Sequence, residues 1–165
     1  MRDAALQRFS MVEVPEASFL AGALFRGAFG VDPPATPRHF VTLYQSEPGR
    51  FVAAGYVHFS PFESVWLAGG LVASKALYPT IPREHLAELG PRPSIGEYTM
   101  REGIVRLGDT IAVFASIGVP RSVVVCRDVG YVDTAVEGLY ACWRREVAPE
   151  IQRAIAERVA RITPF

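Results

Sequence analysis

The stretch Val65-Trp66-Leu67-Ala68-Gly69-Gly70-Leu71-Val72-Ala73 carries no charged side chain. An unbroken apolar run of this length suits a central strand buried on both faces. Gly69-Gly70 inside it predicts a bulge, or a place where another backbone or a ligand comes close. Further along, Met100, Ile104 and Leu107 recur at helical spacing, which predicts a helix over 94–107. Tyr98 and Val105 fall on a second face of it, as in a helix buried on more than one side. Residues 110–117 then read as an apolar strand. Strand, helix and strand in this order predict a right-handed parallel crossover, and that unit makes the fold an α/β layered sheet.

Upstream, strands are predicted over 39–44 and 51–59, joined by Glu47-Pro48-Gly49, with Ser60-Pro61-Phe62-Glu63-Ser64 turning into the central strand. Pro at a first corner and Gly free to take positive φ make the former a strong turn. The three strands form an antiparallel meander. Before them, 9–14 reads as a strand. A helix follows, opened by Pro15, carrying Phe19, Leu20, Ala23 and Leu24 and stopped by Gly30. Asp32-Pro33-Pro34-Ala35-Thr36-Pro37 is a stiff loop. Downstream of the crossover, Pro120 opens a helix that Gly130 ends, Tyr131 begins a strand, and 138–143 is the last strand. Residues 74–93 are irregular, with a short helix after Pro82. The expected fold is one domain over 1–165, a mixed and mostly antiparallel α/β sheet of about seven strands with helices on both faces. An extra C-terminal helix at about 147–162 would cover the sheet or mediate a homodimer.

A chain of 165 residues, half of them hydrophobic, can bury one sizeable core. Seventeen basic and seventeen acidic side chains cancel. No nucleic acid partner is expected, because a sequence-blind binder needs a basic surface, and electrostatic membrane docking is disfavoured for the same reason. All the cations but Lys75 are arginine, which reads first as a composition bias. Cys126 and Cys142 form no disulfide framework, so a reducing, cytoplasmic setting is expected. Met1-Arg2-Asp3-Ala4-Ala5 lacks the layout of a signal peptide, and the apolar stretch near Phe19–Phe29 is too interrupted to span a bilayer. His39, His58 and His85 are scattered, so no metal is expected. Neither Gly-x-Ser-x-Gly nor a Walker-type loop occurs, and Ser116 and Ser122 have no histidine close in sequence.

The element order over roughly residues 9 to 144 resembles the GNAT superfamily of acyl-CoA-dependent N-acetyltransferases. One local motif adds to it. Members often carry a helix ending in Tyr-x-x-x-Gly-Phe before a strand, and the matching stretch here is Cys126-Arg127-Asp128-Val129-Gly130-Tyr131. The charge-free strand is similar to the family's fourth strand, whose backbone hydrogen-bonds the pantetheine arm of CoA. The resemblance implies acetyl-CoA or another acyl-CoA as co-substrate, with Leu71, Val72 and Ala73 holding pantetheine. It also implies a Q/R-x-x-G-x-G/A loop whose amides hold the pyrophosphate at a helix N-terminus. The nearest stand-in is Arg92-Pro93-Ser94-Ile95-Gly96-Glu97, with one extra residue, one glycine and an acidic side chain. Arg92, Ser94 and Gly96 are either a divergent phosphate cradle or a plain helix start, with Ser94 as N-cap and Glu97 as its capping-box partner.

The family's helix tyrosine often protonates the departing thiolate; its position here is Cys126. That thiol can be an acid, a nucleophile or simply a buried small hydrophobe. The general base is frequently a carboxylate beside the fourth strand, which has none here. His58, sharing a strand face with Tyr56, and Glu63 in the turn are nearest in sequence. Two readings stand: an acyl-CoA-dependent N-acyltransferase acting on a primary amine, small molecule or peptide, in a ternary complex; and a GNAT-fold module without CoA chemistry that binds a small ligand or a protein in the same cleft.

Overall fold

The computed structural model describes residues 7–35 and 38–165. Met1 to Ala5, and Thr36-Pro37 of the stiff loop, lie outside the described residues. The elements run β1 (Phe9–Val14), α1 (Ser18–Phe29), β2 (Arg38–Glu47), β3 (Arg50–Phe62), β4 (Val65–Ala73), α2 (Arg83–Leu86), α3 (Ile95–Arg106), β5 (Ala112–Ser116), α4 (Pro120–Val129), β6 (Val132–Asp133), β7 (Leu139–Trp143) and α5 (Pro149–Ala160). Seven strands form one mixed sheet in the order β1-β2-β3-β4-β5-β7-β6.

The crossover is present: β4 and β5 are parallel neighbours, joined through α3. All other strand pairs are antiparallel. Alternation along the strands feeds two faces. Val57, Phe59, Ala68, Val113 and Ala115 pack with Met100, Ile104 and Cys126 of α3 and α4. On the other face Val41 and Tyr56 meet Ala21 and Phe25 of α1, while Leu67, Phe114 and Ala141 meet Ala156 and Val159 of α5. The C-terminal helix thus covers its own sheet.

Three local outcomes differ from the sequence pattern. The first helix starts at Ser18, not at Pro15: Ala17 is its N-cap, and the Glu16 carboxylate just before it accepts the Ser18 N–H at 2.6 Å. On α3 the second buried side consists of Gly96, Thr99 and Gly103, while Val105 faces solvent. A β-carbon on Gly103 would lie 2.8 Å from the Phe59 ring, so the helix lies close against β3 where it lacks side chains. Tyr131 is buried before β6 begins, leaving that strand only two residues long.

Candidate functional site

Strand β4 pairs with β5 only through Trp66–Val113, Leu67–Phe114 and Ala68–Ala115. Beyond Ala68 the two strands part. On its other side β4 stays paired to β3 as far as Ala73, with a register shift: Tyr56 faces Val72, but His58 faces Gly69. Val57 thus faces two residues, Gly70 and Leu71, so β4 bulges there, and Gly70 takes a φ of +61° that favours glycine. Glycine is needed there because the surroundings are filled. A β-carbon on Gly70 would come within 2.5 Å of Phe25 and 2.8 Å of the His58 ring.

Two cavities open where the strands separate. The smaller, about 290 Å³, runs along Ala68–Leu71 of β4 and Ala115–Val119. Its walls come from both faces of the sheet: Met100 and Cys126 on one, Phe29 and Phe165 on the other. The larger, about 760 Å³, follows Leu71–Lys75 to the N-terminus of α3 at Ser94 and Gly96, and to Arg121 on α4. Phe29, Leu71, Val119 and Ser122 belong to both. The strand edge from Gly69 to Ala73 makes no ladder pair with β5, which leaves backbone polar groups facing the cavities.

The start of α3 is a capped helix end. The Ser94 hydroxyl accepts the Glu97 N–H at 3.1 Å. The reciprocal half of a capping box is replaced, since Glu97 pairs with Arg101 one turn on. That pairing turns the acidic side chain toward its own cation. Gly96 is buried beside Val125, and a β-carbon there would make ordinary contact with it at 3.8 Å. The irregular segment before α3 is tied down by the Tyr78 hydroxyl, which donates to the Pro93 carbonyl at 2.5 Å. Lys75 and Arg121 line the larger cavity. Arg92 lines neither cavity; its largely exposed guanidinium lies 3.7 Å from Asp128 on α4.

Behind the bulge, on the α1 face, lies a polar cluster inside the core. The Tyr56 hydroxyl sits 2.7 Å from Nδ1 of His39 and 3.3 Å from Nδ1 of His58, all three residues being buried. A hydroxyl has one proton to donate, so one histidine accepts from it and the other donates to it. Either histidine can be the acceptor, and Nε2 is the His58 ring atom nearest Gly69. Burial, reinforced by His39, pushes His58 down to about 4, so its ring is neutral at pH 7. Burial holds the Tyr56 hydroxyl well above its ordinary value.

Of the residues predicted from sequence, the structure brings together Leu71, Val72, Ala73, Ser94 and Gly96 on one cavity wall and Cys126 on the adjoining one. His58 sits directly behind that wall. Glu63 stands apart: it occupies the β3–β4 turn at a φ of 53° and is salt-bridged to Arg158 of α5. Cys126 is buried, and burial with the neighbouring Cys142 pushes its thiol up to about 12. Sequence reasoning passed over Ser122 and Arg121 as cavity residues; the signal for Ser122 was its place one helical turn before Cys126, on the same face. Among the described residues no group of three or more His, Cys, Asp or Glu could hold a metal ion, and no helix is long and apolar enough to cross a membrane.

No family model and no curated protein matches the sequence. Solved structures do. A GNAT family acetyltransferase from Brucella melitensis, in complex with acetyl-CoA, is similar over 87% of this chain and 92% of its own, with a TM-score of 0.52 and 12% identity. An acetyltransferase of the GNAT family from Bacillus anthracis matches over 84% of this chain and 96% of its own, with a TM-score of 0.44 and 11% identity. At such low identity the likeness is one of fold.

Proposed function

We propose that this chain, which has the GNAT acyltransferase fold, is an acyl-CoA-dependent N-acyltransferase that binds donor and amine together. One observation carries the reading. Two contiguous cavities meet at the bulged, unpaired edge of β4, the larger reaching a capped helix N-terminus and two cations. The residues present fit an acyl-CoA. The backbone of Leu71 to Ala73 would pair with the pantetheine amides as an added strand would. The α3 N-terminus, Lys75 and Arg121 would face the phosphates.

In the reaction an amine nitrogen forms a C–N bond to the thioester carbonyl, the C–S bond breaks, the nitrogen loses a proton and the departing sulfur gains one. Ser122, on both cavity walls, would donate a hydrogen bond to that sulfur. Cys126 would remain a packed thiol, because an acid held near 12 gives up its proton poorly at neutral pH. The proton leaving nitrogen would pass to water in the cavity, since His58 lies behind the Gly69-Gly70 wall and lines neither cavity. Positioning of amine and thioester supplies much of the remaining rate.

Calorimetry with acetyl-CoA tests the reading. Micromolar binding is expected, and thiol release should depend on an added amine. Absence of heat and of any thermal shift at millimolar acetyl-CoA would overturn it in favour of a GNAT-fold module without CoA chemistry.

A further inference from the structure

The smaller cavity continues the line of the larger one. An acyl-CoA with its phosphates at the α3 N-terminus and its pantetheine along Ala73 to Leu71 brings its thioester to the junction of the two, at Leu71 and Ser122. The next atoms of the donor, those of the acyl group, then point into the smaller cavity. There β4 runs on from Leu71 to Ala68, where Ala68 pairs with Ala115 of β5 and the fork closes. Three residues of strand give that end a depth of about 10 Å. The cavity, about 290 Å³, has roughly twice the volume of an apolar cavity that holds a benzene ring.

The closed end is apolar. Ala68, Met100, Ala115 and Cys126 line it and belong to one buried cluster, with Leu71 and Ile117 packed against that cluster. The room at the fork exists because the last ladder pair is two alanines. Such an end gives water too few polar partners, whereas an alkyl chain gains from burial there. Phe29 and Phe165 stand on the opposite face of the sheet. With the exposed Ser116 and Gly118 they border the open side, from which an amine enters.

From this continuity we infer that the donor's acyl group is a medium-length alkyl chain of about six to eight carbons, and that Ala68, Ala115 and Met100 set its length. An acetyl group would occupy only the entrance. Acetyl-CoA still binds, through its CoA part, but leaves the closed end without an apolar occupant. The inference rests on the acyltransferase reading above and names the donor class for it. The reaction is unchanged: the acyl carbon exchanges its bond to sulfur for one to nitrogen, and sulfur gains a proton as nitrogen loses one. With the alkyl chain in the closed end, the open side is left to the amine.

The test is calorimetric titration of the wild-type protein with acetyl-, butyryl-, hexanoyl-, octanoyl- and dodecanoyl-CoA, a series that requires no amine. Octanoyl-CoA should bind at least about tenfold more tightly than acetyl-CoA, because each buried methylene multiplies affinity by roughly three- to fourfold. Dodecanoyl-CoA should gain less than about threefold over octanoyl-CoA, because the chain meets the Ala68–Ala115 pair. Ala115→Leu fills the fork and should cut the octanoyl advantage to about threefold or less. Met100→Ala widens it and should raise the affinity for dodecanoyl-CoA about tenfold over wild type. Thermal melts show which variants are folded, and the wild-type series decides by itself if neither is. An octanoyl advantage below about tenfold would overturn the inference. So would affinity that climbs on through dodecanoyl-CoA, as for a chain lying on the surface, or an octanoyl advantage untouched in folded Ala115→Leu. Failure of every member of the series to bind, acetyl-CoA included, would instead overturn the acyltransferase reading on which it rests.

Discussion

The His58 ring lies against the backbone of Gly69, so close that a β-carbon there would sit 2.5 Å from Nε2. Glycine and histidine are therefore a matched pair, one making room for the other at the bulge. Gly69→Ala should destabilise the protein by roughly 1–3 kcal/mol through overpacking against a buried ring. The cost should fall by more than half in a His58→Ala background, since the clashing atoms are then gone. Gly70→Ala should be relieved only in part, because Phe25 and the positive φ remain once the His58 ring, 2.8 Å away, is gone. Urea midpoints of the single and double variants measure these couplings; equal costs in both backgrounds for Gly69→Ala would contradict the contact.

His58 also gives the stability a pH dependence whose sign is fixed by burial. Its folded value, about 4, lies below the unfolded value of 6.5. The unfolded chain therefore binds a proton first as pH falls. Stability is fully present above pH 6.5 and is lost progressively down to about 4, where the native ring is protonated too. The full loss from this group is on the order of 3 kcal/mol. Carboxylates add their own slope, so the comparison is between wild type and His58→Gln. The variant should show a flatter decline in urea midpoint between pH 6.5 and 4, and parallel curves would rule the effect out.

Much of the architecture was readable because apolar runs and turn residues agree with each other. The charge-free run 65–73 is β4, its bulge falls at Gly70-Leu71, one residue beyond Gly69-Gly70, and the unit of β4, α3 and β5 is the parallel crossover. The second face of α3 was misread because its buried residues are Gly96, Thr99 and Gly103, which add nothing to an apolar pattern. They are chosen for closeness and polarity: Thr99 shares a hydrogen bond of 2.8 Å with Thr42 of β2. The cavity wall Leu71–Ala73, Ser94 and Gly96 followed from the resemblance. Arg121 did not, because nothing in the spacing of α4 shows which of its side chains faces β4; Lys75 begins residues 74–93, which fold into short turns pinned by Tyr78 and Pro93, where spacing says little about which side chain faces inward. Nor could spacing show that Glu63 pairs with Arg158, 95 residues away.

The placement of cations predicts how CoA binding responds to charge reversal. Lys75→Glu or Arg121→Glu, each on the wall of the larger cavity, should weaken acetyl-CoA binding about tenfold, equivalent to about 1.4 kcal/mol. Arg92→Glu should weaken it by less than about threefold, because that side chain points to Asp128 and solvent and acts only through screened distance. Calorimetric titration at low and high salt separates the cases, with the Lys75 and Arg121 effects shrinking as salt rises. A larger loss from Arg92→Glu than from either other variant would return Arg92 to the phosphate site.

The two thiols supply the last prediction, because Cys126 lies on a wall of the smaller cavity. Cys126 and Cys142 are both buried, and burial raises both thiols above their usual range. The thiolate is the reactive form, so the native protein should resist a disulfide-exchange reagent at pH 8 over hours and release both thiols only on denaturation. Cys126→Ala then distinguishes packing from chemistry. As a packed group its loss should cost roughly 1–2 kcal/mol of stability while leaving kcat within about threefold of wild type. As an acid or nucleophile its loss would lower kcat by about 100-fold or more. Ser122→Ala, one turn earlier on the same cavity wall, should show the opposite split: little change in stability, since the side chain is only half-buried, and a kcat lowered by about tenfold through the lost hydrogen bond to sulfur.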